Sequence, residues 1–250
     1  MSATYTLDEA LARILDVDGW LSPDQAELLY RAAAATRPGE QVVEIGSFQG
    51  RSTIVLAAGA PVAVPVIAVD PHAGNDRGPQ QIAGFGAAAA SDHDRFITNL
   101  AAAGVANRVR LVRKFSNDAH ADVSGSIAVL YIDGAHRFGP ARHDIVEWGA
   151  RVAPGGTMLI HDSFSSIGVT LAIVRELLLG RRFRYVGRAR SLTEFRADLD
   201  DRPASRAANA ARMFGQLPWF AKNLIIKGLI TVKLGGLLTA ITGRDPEWPY

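Results

Sequence analysis

The chain has 250 residues, 48% of them hydrophobic, which is enough to bury one large core and excludes a disordered or fibrous polymer. Its 27 basic and 25 acidic side chains nearly cancel, leaving a formal charge of +2, so global charge points to no nucleic-acid partner. With no cysteine there is no disulfide, no thiolate metal site and no cysteine nucleophile, which suits a reducing, cytoplasmic setting.

The first residues, MSATYTLDEALARIL, carry early acids and lack a basic region followed by an apolar core, so no secretory signal is expected. TLDEALARIL predicts a helix capped by Thr6, with Asp8 and Glu9 in its first turn and Leu7, Leu11, Ile14 and Leu15 at helical spacing. SPDQAELLYRAAAAT repeats that grammar, with Ser22 as N-cap and Pro23 at the first helical position. Residues 1–40 thus form an N-terminal helical segment.

From residue 41 the pattern changes to short apolar runs separated by helical stretches. QVVEI, VIAVD, RVRLV, IAVLYID and TMLIHD read as strands, and the alternation predicts an α/β, doubly wound, Rossmann-like sheet, mostly parallel, with helices on both faces across residues 41–200. RFRYVGR and SLTEFRA predict an antiparallel hairpin finishing it. The glycine-rich stretch HAGNDRGPQQIAGFGAAAASDHD suits a lid over a substrate, although His93 and Asp94 read equally well as the start of a helix through DRFITNLAAAG. Trp148 falls on the apolar side of a helix and is assigned to the core.

Residues 201–250 form a hydrophobic and basic helical tail. LPWFAKNLIIKGLITVKLGGLLTAITG is interrupted by Lys222, Lys227 and Lys233, too often for a confident membrane span, and is apolar all round instead of along one stripe. It must be buried somewhere: against the domain, against a second copy in a homodimer, or, over residues 217–243, on the inner face of a membrane with its lysines toward headgroups.

In a doubly wound sheet, ligands bind beyond the carboxyl ends of the strands, where the strand order reverses. The first such stretch, VVEIGSFQGRST, reads as strand, tight turn and helix start. Gly46 permits the turn, and Gly50 lets backbone approach a ligand or pack closely. A dinucleotide fingerprint would want glycine where Phe48 stands. The Glu44 carboxylate would repel a phosphate but suit an ammonium group, directly or through water. Arg51 either neutralises a nearby acid or sits solvated at the helix start. Asp70, ending VIAVD, is placed to accept both hydroxyls of a ribose, or else caps the next structure. The loop residue His72 faces a ligand or is incidental.

Asp133 and Asp162, in YIDGAHRF and HDSF, end neighbouring strands, so their carboxylates should converge. Two hard oxygen donors suit Mg²⁺ or a similar divalent ion, the competing role being caps or salt bridges. His136, just beyond Asp133, could take a proton from an acceptor hydroxyl. His161 is a further metal ligand or a strand-end residue pointing away.

Together, VVEIGSFQGRST, VIAVDPHAG and LYIDGAHRFGPARHDIVEWGARVAPGGTMLIHD resemble class I S-adenosylmethionine-dependent methyltransferases over roughly residues 20–195, and specifically their D-G-x-H group. Within that group the chain looks like metal-dependent sugar O-methyltransferases. The resemblance implies S-adenosylmethionine as cofactor, with Glu44, Gly46 and Ser47 on its methionine part, Asp70 on the ribose, and Ser116 with Asn117 at the adenine end. It implies Asp133 and Asp162 as metal ligands, Asp133 bordering both cofactor and reaction, and His136 as general base. The acceptor it implies is a small molecule, saccharide or glycolipid. One departure stands out: relatives often carry a second acid beside the carboxylate matching Asp162, whereas its neighbours here are His161 and Ser163.

Three rival readings follow from the same residues. A metal-independent methyltransferase would use His136 alone as base. A dehydrogenase or nucleotide-sugar enzyme could occupy a similar fold. A non-catalytic peripheral membrane module would have the tail as its working part.

Overall fold

The computed structural model describes residues 5–73 and 85–231. Its centre is a seven-stranded sheet in the order β3-β2-β1-β4-β5-β7-β6. The strands are β1 (Val42–Ile45), β2 (Val66–Val69), β3 (Val109–Val112), β4 (Ile127–Ile132), β5 (Val152–Ile160), β6 (Arg184–Ala189) and β7 (Leu192–Arg196). The first five are mutually parallel, whereas β7 runs antiparallel to both β5 and β6. The five apolar runs and the final hairpin fall where the sequence predicts them. The order reverses between β1 and β4, and the carboxyl ends of these strands form the crevice expected to hold a ligand.

The parallel strands are buried on both faces, as unbroken Val/Ile/Leu runs require. Alternation along the strands divides the core in two. Val43, Ile45, Leu130 and Ile132 pack with Ile145, Trp148 and Ile173 on one face. Val42, Val66, Val129, Tyr131 and Leu159 pack with Leu29, Ile54, Leu56 and Phe96 on the other.

The helices are α1 (Leu7–Arg13), α2 (Pro23–Ala34), α3 (Arg51–Gly59), α4 (Phe85–Ala102), α5 (Phe138–His143), α6 (Ile167–Leu177), α7 (Pro203–Phe214) and α8 (Leu217–Thr231). Helix α1 starts in a capping box: the Thr6 hydroxyl accepts the Glu9 N–H, and the Glu9 carboxylate accepts the Thr6 N–H. Helices α1 and α2 pack on α3, so the N-terminal segment shares the core of the sheet. Residues His93 and Asp94 lie inside α4, so that part of the predicted lid is helix, while residues 74–84 lie outside the described residues. Trp148 is fully buried in a π-helical turn, Asp144–Trp148, as a core residue should be.

The described part of the tail, residues 201–231, folds back on the domain. Asn209 of α7 accepts the Tyr185 N–H of edge strand β6 at 2.8 Å, so a helix covers that exposed ladder. Arg188 of β6 stacks over Trp219 of α8 at 3.9 Å, and buried Asn223 of α8 donates to the Phe164 carbonyl at 3.0 Å. No helix among the described residues is long and apolar enough to cross a membrane. Residues 232–243 of the proposed membrane-contacting stretch lie outside the described residues.

Candidate active site

Strand parity decides which side chains reach the crevice. Glu44 shares a face with Val42 and points at α3. Its carboxyl group, fully buried, accepts the hydroxyls of Ser52 and Thr53. Burial pushes its pKa up to about 8 against those two hydroxyls, with the negative charges of Asp133 and Asp70 adding to the rise. In this arrangement Glu44 underpins the turn instead of presenting an oxygen to the crevice.

The turn itself is built from close backbone approach. Gly46 has φ +85°, and a Cβ there would lie 2.3 Å from the Asp133 carbonyl oxygen, so glycine is needed to seat the β1 turn on the end of β4. Asp70 holds the turn from the other side. Its Oδ2 accepts the N–H groups of Ser47 at 2.8 Å and Phe48 at 2.9 Å, and its Oδ1 accepts the His72 N–H at 2.7 Å. Two carboxylate oxygens offer about four lone-pair sites, so three are engaged here. A bidentate contact to a ribose would require the turn amides to give one up. His72 is buried, with Nε2 2.9 Å from the Phe48 carbonyl, and serves this loop. Arg51 is not solvated at the helix start: its guanidinium donates to the carbonyls of Ile14 and Val17, tying the end of α1 to α3, and the Asp18 carboxylate nearby favours its charge.

Beside this turn is a cavity of only about 20 Å³, bordered by Trp20, Gly46, Ser47, Phe48, Tyr131 and Asp133. The rings of Trp20 and Phe48 lie 5.7 Å apart across it. Ser47 is 2% exposed, and its Oγ has no hydrogen-bond partner. An orphaned buried hydroxyl on a glycine turn fits the polar head of a cofactor. Ser116 and Asn117 lie in a 3₁₀ turn just past β3. The Ser116 carbonyl accepts Trp148 Nε1 at 3.2 Å, and Asn117 is exposed. Gly50 caps α3 with φ +89° and packs against Phe96, away from the crevice mouth.

Asp133 and His161 come together through register. Ile132 pairs with Ile160, so the next residues on β4 and β5 emerge side by side on the face shared by Tyr131 and Leu159. His161 Nδ1 lies 3.3 Å from Asp133 Oδ1 and 3.5 Å from Asp162 Oδ2. His136 Nε2 lies 2.9 Å from Asp162 Oδ2 and 3.8 Å from Asp133 Oδ1. Tyr131 donates its hydroxyl to Asp133 Oδ2 at 3.0 Å. His136 Nε2 and His161 Nδ1 are close to these oxygens without the alignment of hydrogen bonds.

Charge is concentrated here. Burial alone would lower the pKa of His136, but Asp133 and Asp162 outweigh it and raise it to about 9. Burial likewise opposes protonation of His161, and the same two carboxylates raise it to about 10. Burial would raise Asp162, yet His161 and His136 hold it well below the usual carboxylate range. Ligand atoms of Asp133, His136 and Asp162 lie within 4.8 Å of one another, a set of two hard oxygens and one imidazole that fits a divalent ion. His136, which the sequence suggests as a base, is thus one of these three residues, and His161 faces the carboxylates instead of turning away.

Above this cluster opens a cavity of about 880 Å³. His136, His161 and Asp162 border it, with Trp20 on one wall and Leu224, Lys227 and Thr231 of α8 on another. Lys227 Nζ donates to the Ser165 carbonyl at 3.1 Å and hydroxyl at 2.9 Å. Trp20, Tyr131, Ser165 and Lys227 are site residues that sequence reasoning missed. Only the placement of Tyr131 two residues before Asp133 offered a signal, through strand parity.

Residues 43–163 match the methyltransferase-domain family. Among solved structures, cofactor-bound Rv0187 from MTB is 20% identical, with a TM-score of 0.51, 76% of this chain and 85% of that one covered. The O-methyltransferase NovP is 16% identical, with a TM-score of 0.54, 71% of this chain and 81% of that one covered. At such identities the likeness establishes the fold.

Proposed function

We propose that this chain, whose residues 43–163 match the methyltransferase-domain family, moves a methyl group from S-adenosylmethionine to a hydroxyl oxygen of an acceptor held in the large cavity. The observation carrying this reading is the cluster in which His136, His161 and Asp162, which border that cavity, meet Asp133, which borders the small cavity at the turn whose Ser47 hydroxyl is orphaned. Bound S-adenosylmethionine supplies a sulfonium methyl that is open to in-line attack. The chemistry then asks the protein for alignment and for a route for the hydroxyl proton. As the oxygen–carbon bond forms and the carbon–sulfur bond breaks, the hydroxyl proton must leave and the sulfonium becomes a neutral thioether.

Trp20 borders both the small cavity at the turn and the large one, and so would stand where methyl donor and acceptor meet. Ser47 and the turn at Gly46 would hold the methionine part, with Asp70 securing the turn and contributing its remaining lone pair to the ribose. Asp133 and Asp162, with His136, would hold a divalent ion such as Mg²⁺, whose charge would lower the pKa of a hydroxyl nearby. Without a cation the two carboxylates favour the protonated form of His136, and a cation held at the same oxygens would favour its neutral form. A saccharide-type acceptor fits the mixed wall of Trp20, Phe138, Ser165, Ser166 and Thr231, which offers flat apolar faces beside hydroxyls.

Calorimetric titration with S-adenosylhomocysteine and, separately, NAD tests the cofactor. Binding of the first alone is expected, and binding of NAD alone overturns the reading. Assay after exhaustive chelation tests the metal: activity should fall and return with Mg²⁺ or Mn²⁺, and undiminished turnover removes the ion from the site.

A further inference from the structure

The two oxygens of Asp133 meet different neighbours. Oδ1 is turned to the imidazoles, 3.3 Å from His161 Nδ1 and 3.8 Å from His136 Nε2. Oδ2 accepts the hydroxyl of Tyr131 at 3.0 Å. Tyr131 stands two positions before Asp133 on β4, so strand periodicity puts its ring on the face from which Asp133 emerges. The ring is fully buried in the core with Val129 and Leu159, and it meets the His161 ring edge-on with centroids 6.5 Å apart. Close packing of the ring fixes where its hydroxyl lies. A carboxylate oxygen that already accepts a phenol proton has less to offer a cation.

Ca²⁺ and Mg²⁺ use such a group differently. Ca²⁺ collects about six to eight oxygens in a flexible shell and can take a carboxylate through both of its oxygens, whereas Mg²⁺ demands a near-ideal octahedron and keeps several waters. We propose that Tyr131 is a positioning residue that sets the ion preference of this site: held by the phenol, Asp133 offers Oδ1, which suits Mg²⁺ or Mn²⁺ and withholds from Ca²⁺ a second oxygen. This rests on the reading of Asp133, His136 and Asp162 as a divalent-ion site. The selectivity then lies in a residue that touches no ion itself.

The test uses the full chain with Mn²⁺ bound, free Mn²⁺ read by electron paramagnetic resonance, and Mg²⁺ or Ca²⁺ as competitor. Wild type should yield its Mn²⁺ to Mg²⁺ at lower concentration than to Ca²⁺. Tyr131→Phe keeps the ring and removes the donor, and should shift the ratio of the two competitors toward Ca²⁺ by about fivefold or more. Tyr131→Met, a flexible apolar filler without a donor, should do the same, and it stands in if the Phe variant does not fold. A hydroxyl that only supports the loop would weaken binding of every ion alike and leave the ratio within about twofold of wild type. That result overturns the proposal, as does a wild type that prefers Ca²⁺. Absence of Mn²⁺ binding in wild type removes the ion reading and this proposal with it, whereas Mn²⁺ binding with an unmoved ratio defeats only the role of Tyr131.

Discussion

Glu44 shows how a residue singled out by its type can take another role in the fold. An acid at the end of β1 invites an ammonium ligand, but two-residue periodicity turns it toward α3, where Ser52 and Thr53 meet it in full burial. Its pKa is raised from an ordinary 4.5 to about 8, so the folded state holds a proton that the unfolded chain releases. Stability is therefore fully present below about pH 4.5 and is lost as pH rises through about 8, by up to on the order of 5 kcal/mol. Glu44→Gln, which is neutral throughout, should flatten this profile and be the more stable protein at pH 8.5. Urea denaturation from pH 5 to 8.5 checks it, and parallel profiles for the two proteins would contradict it. Asp162 is the second residue with a sharp expectation. It sits at φ +54°, where Asn is also tolerated, so Asp162→Asn keeps the backbone while weakening the ligand set. Calorimetry with Mn²⁺ should show affinity lower by more than about tenfold. The residues of this cluster were legible because strand ends announce themselves in sequence. How His136 and His161 stand about the two carboxylates was not, since it depends on where each ring points after the chain turns.

Among elements, the crevice is built by turns under constraint. Phe48, His72 and Asp162 all have positive φ, and each lies just beyond β1, β2 or β5. Left-handed backbone at non-glycine residues costs on the order of 1 kcal/mol or more each, and clustering at the carboxyl edge is where a site would be expected to hold such strain. The start of α6 is the opposite case, a glycine required by contact. A Cβ on Gly168 would lie 2.2 Å from the His136 carbonyl oxygen and 2.7 Å from the Phe138 nitrogen. Ser166 also donates its hydroxyl to the His136 carbonyl at 3.2 Å, so this helix start positions the histidine loop. Alanine improves helix propensity by about 1 kcal/mol, but here it meets backbone that cannot swing aside. Gly168→Ala should lower stability by roughly 2 kcal/mol or more and weaken Mn²⁺ binding at His136. An unchanged melting temperature with unchanged metal affinity would refute this. The strands and the hairpin were legible because buried parallel strands read as short apolar runs between turn residues. Gly168 was not, because its contact partner lies some thirty positions away, at a distance only the fold sets.

Across the whole molecule, the tail is where sequence and structure differ most in weight. An apolar, lysine-bearing segment leaves packing, dimerisation and membrane contact all open, because composition records what must be covered and not by what. In the structure α8 covers the turn after β5: Asn223 caps the Phe164 carbonyl, Trp219 and Phe220 join the core, and Leu224 and Lys227 face the large cavity. The turn at Gly46, by contrast, belongs to β1, β2 and α3, and none of its described contacts involves α8. The two halves of the site should therefore respond independently. Leu224→Trp fills cavity volume from the α8 side without touching the metal cluster or the turn. It should weaken binding of the neutral dye N-phenyl-1-naphthylamine by about tenfold or more while S-adenosylhomocysteine affinity stays within about twofold of wild type. Equal loss of both would mean that α8 supports the domain generally. Loss of neither would mean that the acceptor enters elsewhere, and that the apolar character of α8 serves packing alone.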